Sequence, residues 1–380
     1  MKMPRRRLAL FGILDRYVAK LFLSAYLVAL MMIVGLYLVV DLASNLDDYL
    51  RPNDQGTSPG ILAVARYYTL HVPFLYLSVA PFVTLMAALF TVAKLQKARE
   101  VIAALSAGMS VRRLLLPLFV SAALIAVFMA GLREVATESI GFERDALRYS
   151  LDKHLAEVEI ETMRVKDVQG EMIQLGSFRP GIGVDPRGVE PSVFHDLDAI
   201  RFIDGNWFHF VAERGRWIGD HRVGHWELEG GYQERVSDED RIRTPLVQLD
   251  GQLEFSPRDV WSAWKGRGNA LELSLREARS LSRRDPDNVQ YQTLMNYLVT
   301  FPLANLVLLL VGLPFLMQFE RGRGTEGLVA GFLLCVVYFA ADFVTLNLGL
   351  QGHLDPLLAS ALPPLFFGSL GLVLFGSIRT

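Results

Sequence analysis

Residues 94–119 read KLQKAREVIAALSAGMSVRRLLLPLF. The stretch opens as a basic, amphipathic segment and closes as the start of an apolar one. Ala98, Val101, Ile102, Leu105 and Met109 recur near i, i+3, i+4 and i+7, which predicts a short helix with one apolar face over about 94–109. Lys94, Lys97, Arg99 and Glu100 fall in its first turns. Gly108 suits a C-cap, and Ser110 suits the N-cap of whatever follows. A short charged helix between two long apolar runs needs explaining. It either lies on a membrane leaflet with its lysines toward anionic lipid, or it is offered to the groove of a partner protein.

Working outward, the apolar residues gather into long runs near both ends of the 380-residue chain. A spanning helix needs about 20 apolar residues. Leu21–Val40, Tyr67–Ala93, Leu114–Leu132, Tyr291–Met317, Gly327–Leu350 and Leu357–Ile378 meet that need, giving six expected spans. The hydrophobic share of 52% is too high for an ordinary soluble chain and fits this reading. The formal net charge of -2 selects no partner and gives nucleic acid no footprint.

Orientation follows from Lys and Arg in the short loops. Lys2, Arg5, Arg6 and Arg7, then Lys94, Lys97, Arg99, Arg112 and Arg113, then Arg321 and Arg323, and finally Arg379 fall on one side of a six-span chain. The opposite loop SNLDDYLRPNDQGTSPG is acidic. Both termini are therefore expected in the cytoplasm, with the long middle segment outside. The basic start precedes an apolar run too long for a cleaved leader, so it reads as a retained first span.

The middle segment alternates apolar and polar residues from Glu161 to about Phe255, with turn signals at Asp204-Gly205, Gly219-Asp220 and Gly230-Gly231. The expected fold is an α-helical membrane protein of six spans with an inserted all-β, sandwich- or barrel-like domain. The expected boundaries are 1–135, 136–288 and 289–380. Helices are expected on both flanks of the strands, the second with Ser274 as N-cap.

The search for chemistry excludes more than it finds. There is no Walker-type loop, nucleophile elbow, H-E-x-x-H or C-x-x-C. His221 and His225, with His209 and Glu213 nearby, have a spacing that converges on a helix, but they flank Val223-Gly224 in a β-rich stretch and read as a solvated hairpin. The single cysteine, Cys335, reads as a small buried hydrophobe. Asp342 interrupts the fifth span, and a carboxylate there is a candidate functional group. Its bland reading is a hydrogen bond to Tyr338 or Asn347. Asp41, at the outer end of the first span, reads as interfacial.

KAREVIAALSAGMSVRRLL resembles the coupling-helix segment of the LptF/LptG (YjgP/YjgQ) permease family, with Glu100, Gly108 and Ser110 on the recurring positions. ILDRYVAKLFL, VDLASNLDDYL, AERGRW with WELEGG, LSLREARSL, YQTLMNYLVTFPLANLVLLLVGLPF and LGLQGHLDPLLASALPPLFFGSLGLVLF are similar to other parts of that family, in order along nearly the whole chain. The ILDRY start leans toward the LptG-like member.

The resemblance implies a non-enzymatic permease subunit of an ABC exporter in the cell inner membrane. It implies pairing with a second related permease and with a cytoplasmic ATPase dimer, which uses ATP and Mg; this chain itself binds no cofactor and no metal. It implies extraction of lipopolysaccharide from the outer leaflet, hand-off to a periplasmic bridge protein, a β-jellyroll outside, and lateral gates at spans one and five. Arg99, Glu100, Val101, Ile102, Leu105, Gly108 and Ser110 would then couple to the ATPase, with Asp41 and Asp342 at the cavity or gate. Where some relatives carry lysines after span one, this chain has Asp41, Asp47 and Asp48, so Arg51, Arg66 and Arg133 stand as substitutes for lipid-phosphate contact. Two other classes stay open: a membrane-anchored periplasmic binding or scaffold protein, and an ion-coupled transporter using Asp342.

Overall fold

The computed structural model describes residues 12–50, 60–151, 160–166, 171–179, 181, 191–219, 224–236, 242–249, 253–268, 272–318 and 324–377. Among them, six helical segments are long and apolar enough to cross a membrane: Ile13–Asn45, Ile61–Lys97, Val111–Gly141, Val289–Met317, Val329–Leu350 and Pro356–Ser377. They match the six expected spans one for one. Their helices are α1 (Ile13–Leu50), α2 (Gly60–Lys97), α4 (Val111–Ala136), α8 (Val289–Thr300) with α9 (Ala304–Gln318), α10 (Gly324–Leu350) and α11 (Pro356–Ser377). Contacts divide the chain into two units, one of 1–39, 75–132 and 296–380, the other of 40–74 and 133–295.

In the first unit, α2 and α9 are the centre. The apolar windows of spans two and four are 72% and 67% buried, against 11% for span one and 28% each for spans five and six. Close approach is set by glycine. A Cβ on Gly312 would come within 2.5 Å of Leu85 Cδ1, so the glycine lets α9 pack on α2 without displacing that side chain. Span four is not one helix. Pro302 lacks an N–H, and the chain passes through a 3₁₀ turn at Phe301–Leu303. Asn305, fully buried, lies beside the turn. Its amide donates to the Pro302 carbonyl at 2.9 Å, and its oxygen accepts from Thr84 Oγ1 at 2.7 Å.

The second unit holds the strands. α5 (Phe142–Leu151) follows a π-turn at Thr137–Gly141, and its Leu147 and Leu151 pack on Val64 and Tyr67 of α2. Eight antiparallel strands follow: β1 (Ile160–Lys166), β2 (Met172–Arg179), β3 (Val193–Ile203), β4 (Asn206–Gly219), β5 (Gly224–Glu229), β6 (Tyr232–Arg235), β7 (Arg243–Pro245) and β8 (Gln248–Leu249). The expected inserted β region is present. Asp204 and Gly205, both left-handed at φ 49 and 84, close the β3–β4 hairpin as their sequence signalled.

Gly230-Gly231 does not close a hairpin. β5 and β6 lie end to end along β4 with one continuous register, Arg214 facing Glu229 and Val211 facing Tyr232. The glycines interrupt a strand because Gly230 is left-handed at φ 66. The interruption continues across the sheet. Gly230 faces Glu213, Glu213 faces Asp196 (φ 53), Asp196 faces Gly176, and Gly176 faces Thr162 (φ 47). Left-handed residues thus sit on alternate strands of one row. At this row the side-chain alternation reverses. Ile160 and Met163, Leu175 and Phe178, and Phe194 and Leu197 are all buried, three residues apart rather than two.

Two helices complete the unit: α6 (Pro257–Gly268) and α7 (Leu275–Arg284). Ser274 caps α7 as expected, in a reciprocal box with Glu277 (3.0 and 3.1 Å).

Candidate functional site

The α2–α4 connection is built differently from its sequence reading. Lys94 and Lys97 are not in the short helix. α2 continues to Lys97 because Leu95 stays buried, keeping the apolar phase of the span. Arg99 then turns left-handed at φ 58, and a separate helix α3 covers only Glu100–Ser106. Gly108 ends it at φ 80, and Ser110 Oγ accepts from the Arg113 N–H at 3.4 Å at the head of α4. Those two caps are where the sequence put them.

α3 is held on one side and open on the other. Val101 is buried. Tyr17 of α1 donates to Glu100 Oε1 at 3.1 Å. Two residues earlier on α1, Asp15 accepts two bonds from Arg113 of α4, at 2.7 and 2.6 Å. This bidentate pair fixes α1 against α4 beside α3. The expected single apolar face is divided: Val101 points inward, while Ile102 and Leu105 are 62% and 38% exposed. Ala103 and Ser106 share that exposed side. A seven-residue helix cannot hold itself in water. Its anchors are tertiary, and they leave an apolar ridge facing away from the unit.

Asp342 of α10 is buried, and its partner is neither Tyr338 nor Asn347. Tyr297 of α8 donates to Asp342 Oδ2 at 2.7 Å. Tyr338 instead packs its ring on Phe367, centroids 5.2 Å apart, and Asn347 donates to the Phe343 carbonyl at 2.8 Å. The Tyr297 bond crosses between spans four and five next to the 3₁₀ turn, which no local spacing could announce. Asp41 accepts from Tyr68 at 2.7 Å and from Asn45 at 3.2 Å, so it is tied into the second unit rather than merely interfacial.

Of the three arginines proposed for phosphate, Arg51 lies outside the described residues. Arg66, exposed, pairs with Glu143. Arg133 is 2% exposed. An interfacial, snorkelling arginine would show its head to solvent, so in this structure Arg133 is a core group of the second unit. His209 lies between Asp198 and Glu234, at 3.3 and 3.2 Å, and Arg243 approaches Glu234 from the other side at 3.3 Å. The hydrogen bond from His209 leads in holding the Glu234 carboxyl below its usual range, with Arg243 adding to it.

A buried ion cluster was not foreseen. Asp145 of α5 binds Arg144 and, across the unit, Lys265 of α6. Trp261 Nε1 donates to Asp145 Oδ2 at 2.9 Å, and Arg144 Nη2 reaches Glu272 at 3.2 Å. The Arg144 guanidinium stacks 4.0 Å above the Phe74 ring. Burial pushes the Asp145 carboxyl up, but the Lys265 and Arg144 charges outweigh it and hold the group below the usual carboxylate range. The only sequence signal was charge placed inside otherwise amphipathic helices, which does not identify partners more than a hundred residues apart.

A family model described as "Lipopolysaccharide export system permease LptF/LptG" matches residues 16–377. No curated protein matches the chain.

Proposed function

The chain belongs to the LptF/LptG family, and from that premise we propose that it is one permease of a lipopolysaccharide exporter, with α3 as the element through which a separate ATPase moves the spans. The family makes it a transporter component, multi-pass in the inner membrane, within an ABC system that contains a partner permease and an ATPase. The match does not distinguish an LptG-like from an LptF-like member.

The observation that carries the coupling role is the division of α3. Glu100 and Val101 bind inward, and Ile102, Ala103, Leu105 and Ser106 are left uncovered. An exposed apolar ridge on a short, well-anchored helix suits a protein groove better than a leaflet, because its lysines sit on α2 and not on α3. A push on that ridge reaches span one through Tyr17 and span three through the Gly108–Ser110 turn. The Asp15–Arg113 pair makes spans one and three respond together.

The remaining parts follow from charge and exposure. Both termini are cytoplasmic and the β region is periplasmic, by the side on which the loop cations gather. The organisation is 1–135 for spans one to three, 136–288 for the β-bearing domain and 289–380 for spans four to six. The second permease covers span one and span five, whose apolar windows are 11% and 28% buried in this chain alone. Spans one and five of the two permeases form lateral gates around a cavity open to the outer leaflet. Narrowing that cavity lifts the lipid, which passes to the β-bearing domain and from there to a bridge protein. Arg51 and Arg66 meet lipid phosphates at the cavity mouth. ATP and Mg are used by the partner ATPase.

The test is purification of the tagged chain from its native membrane in mild detergent, with and without Glu100→Lys. Recovery of an ABC ATPase and a second six-span permease, with the ATPase lost from the variant, supports the proposal. Recovery of neither partner in several detergents overturns it and returns weight to a membrane-anchored scaffold. Transport driven by an ion gradient without ATP, and abolished by Asp342→Asn, would favour the ion-coupled alternative.

A further inference from the structure

The second unit contains a cavity of about 230 Å³ between β1, α6, α7 and the first turn of α8. Arg164, Lys166 and Arg284 line it, with Asp285, Asn288 and Gln290. Three positive groups face one carboxylate. Lys166 Nζ takes that carboxylate, Asp285 Oδ1, at 2.7 Å. Arg284 Nη2 is held from behind by Asp259 at 2.9 Å, while its Nη1 is buried and has no hydrogen-bond partner. Counting Asp259 with the lining leaves three positive and two negative charges, an excess of one. Arg164, the exposed member, supplies it.

A buried guanidinium nitrogen without an acceptor costs free energy unless something fills the space before it. Arginine forks match the tetrahedral oxygens of phosphate in geometry as well as charge. The cavity is also far larger than a single water needs.

Its place in the chain says where such a phosphate comes from. Asn288 and Gln290 flank Val289, the first residue of the fourth span. The cavity therefore lies at the first turn of the helical segment that becomes the fourth span. The preceding helix, α7, carries exposed Arg279 and Arg283 at i and i+4, while Arg276 on the same side is paired with Glu138 at 2.9 Å. Leu273, Ala278 and Leu281 are its buried side.

We propose that this cavity is a phosphate site for a lipid headgroup at the bilayer surface, with Arg164 and Arg284 as the binding forks and the α7 arginines as the approach. It is separate from the α3 region and rests only on span four entering a membrane, so it stands or falls independently of the export reading.

The experiment uses the full chain in a neutral detergent, without any ATPase, titrated by calorimetry with dihexanoyl phosphatidate and, separately, with inorganic phosphate. The expected result is saturable binding of the phosphatidate, weakened at least tenfold by Arg164→Glu and by no more than about threefold by Arg164→Lys. Arg164 is exposed, so both variants should melt with the wild type in the absence of lipid. Equal affinity of wild type and Arg164→Glu for phosphatidate would overturn the site. Inorganic phosphate binding as tightly as the lipid would overturn the lipid assignment in favour of a free-anion site.

Discussion

Replacing Asp145 with Asn removes one negative charge from a place where water cannot substitute for it. The side chains of Arg144 and Lys265 are 1% and 4% exposed. Without the carboxylate, among the described residues Lys265 keeps no acid and Arg144 keeps only Glu272. Breaking a buried pair from one side costs about 3–5 kcal/mol, because the surviving charge stays desolvated. Asn still offers an oxygen to Trp261, so that hydrogen bond is retained. Asp145→Ala loses it too, adding about 1–3 kcal/mol for the stranded indole N–H. At about 2–4 °C per kcal/mol for a unit of this size, the Asn variant should melt about 6–20 °C lower.

The assay is built into the chain. All five tryptophans, at 207, 217, 226, 261 and 264, lie in the second unit, so tryptophan emission of the full chain in detergent follows that unit's unfolding alone. The pH dependence is fixed in sign. The folded carboxyl is held below its ordinary value, so its contribution is complete above about pH 3.9 and drains away as pH falls from there through the folded value. The gap between wild type and Asn variant should stay constant from about pH 7 to pH 5 and close in stronger acid. An Asn variant within about 1 kcal/mol of wild type at pH 7 would refute the reasoning, since a buried lysine stripped of its acid does not cost so little.

Four further outcomes are expected. Ile102→Glu should leave the melting curve unchanged, because the side chain is 62% exposed, yet reduce ATPase co-purification at least tenfold. Ser274→Ala should cost about 1 kcal/mol and speed amide exchange in the first turn of α7, where its Oγ accepts the Glu277 N–H. Gly215→Ala should cost about 1–3 kcal/mol in a urea titration, as the added methyl would sit 2.1 Å from the Phe194 ring. Thr162→Gly should stabilise the second unit by about 1 kcal/mol, since a β-branched residue is strained at φ 47.

What the sequence made legible was whatever depends on a local period. The spans needed only long apolar runs, and Ser110, Gly108, Ser274 and the Asp204-Gly205 turn are each set by neighbours three or four residues away. Reading failed where a distant partner decides. The periodicity around Lys94–Met109 fits one helix, but Arg99 breaks it, and whether Val101 or Ile102 faces inward depends on α1. Asp342 could be flagged from its cost alone, while Tyr297 became its partner only through the packing of span five on span four. Gly230-Gly231 has the composition of a turn, yet β4 runs straight past it with unbroken register. Arg133 sits at the end of an apolar run, where exposure is the ordinary expectation, and the second unit buries it.

The row from Thr162 to Gly230 bears on how this domain can change length over evolutionary time. A common β-bulge is one residue added to one strand, and losing that residue restores a plain ladder. Here no strand has an extra residue, because pairing on both sides of the row keeps the same offset. Deleting a single residue from β1, β2, β3 or β4 would throw one arm of that strand onto the wrong face of the sheet. A compensating deletion in a neighbouring strand would restore that neighbour's pairing and expose the next. Length variation among relatives should therefore collect in the stretches joining the strands, at 167–170, 182–190 and 220–223, and be absent within the strands themselves.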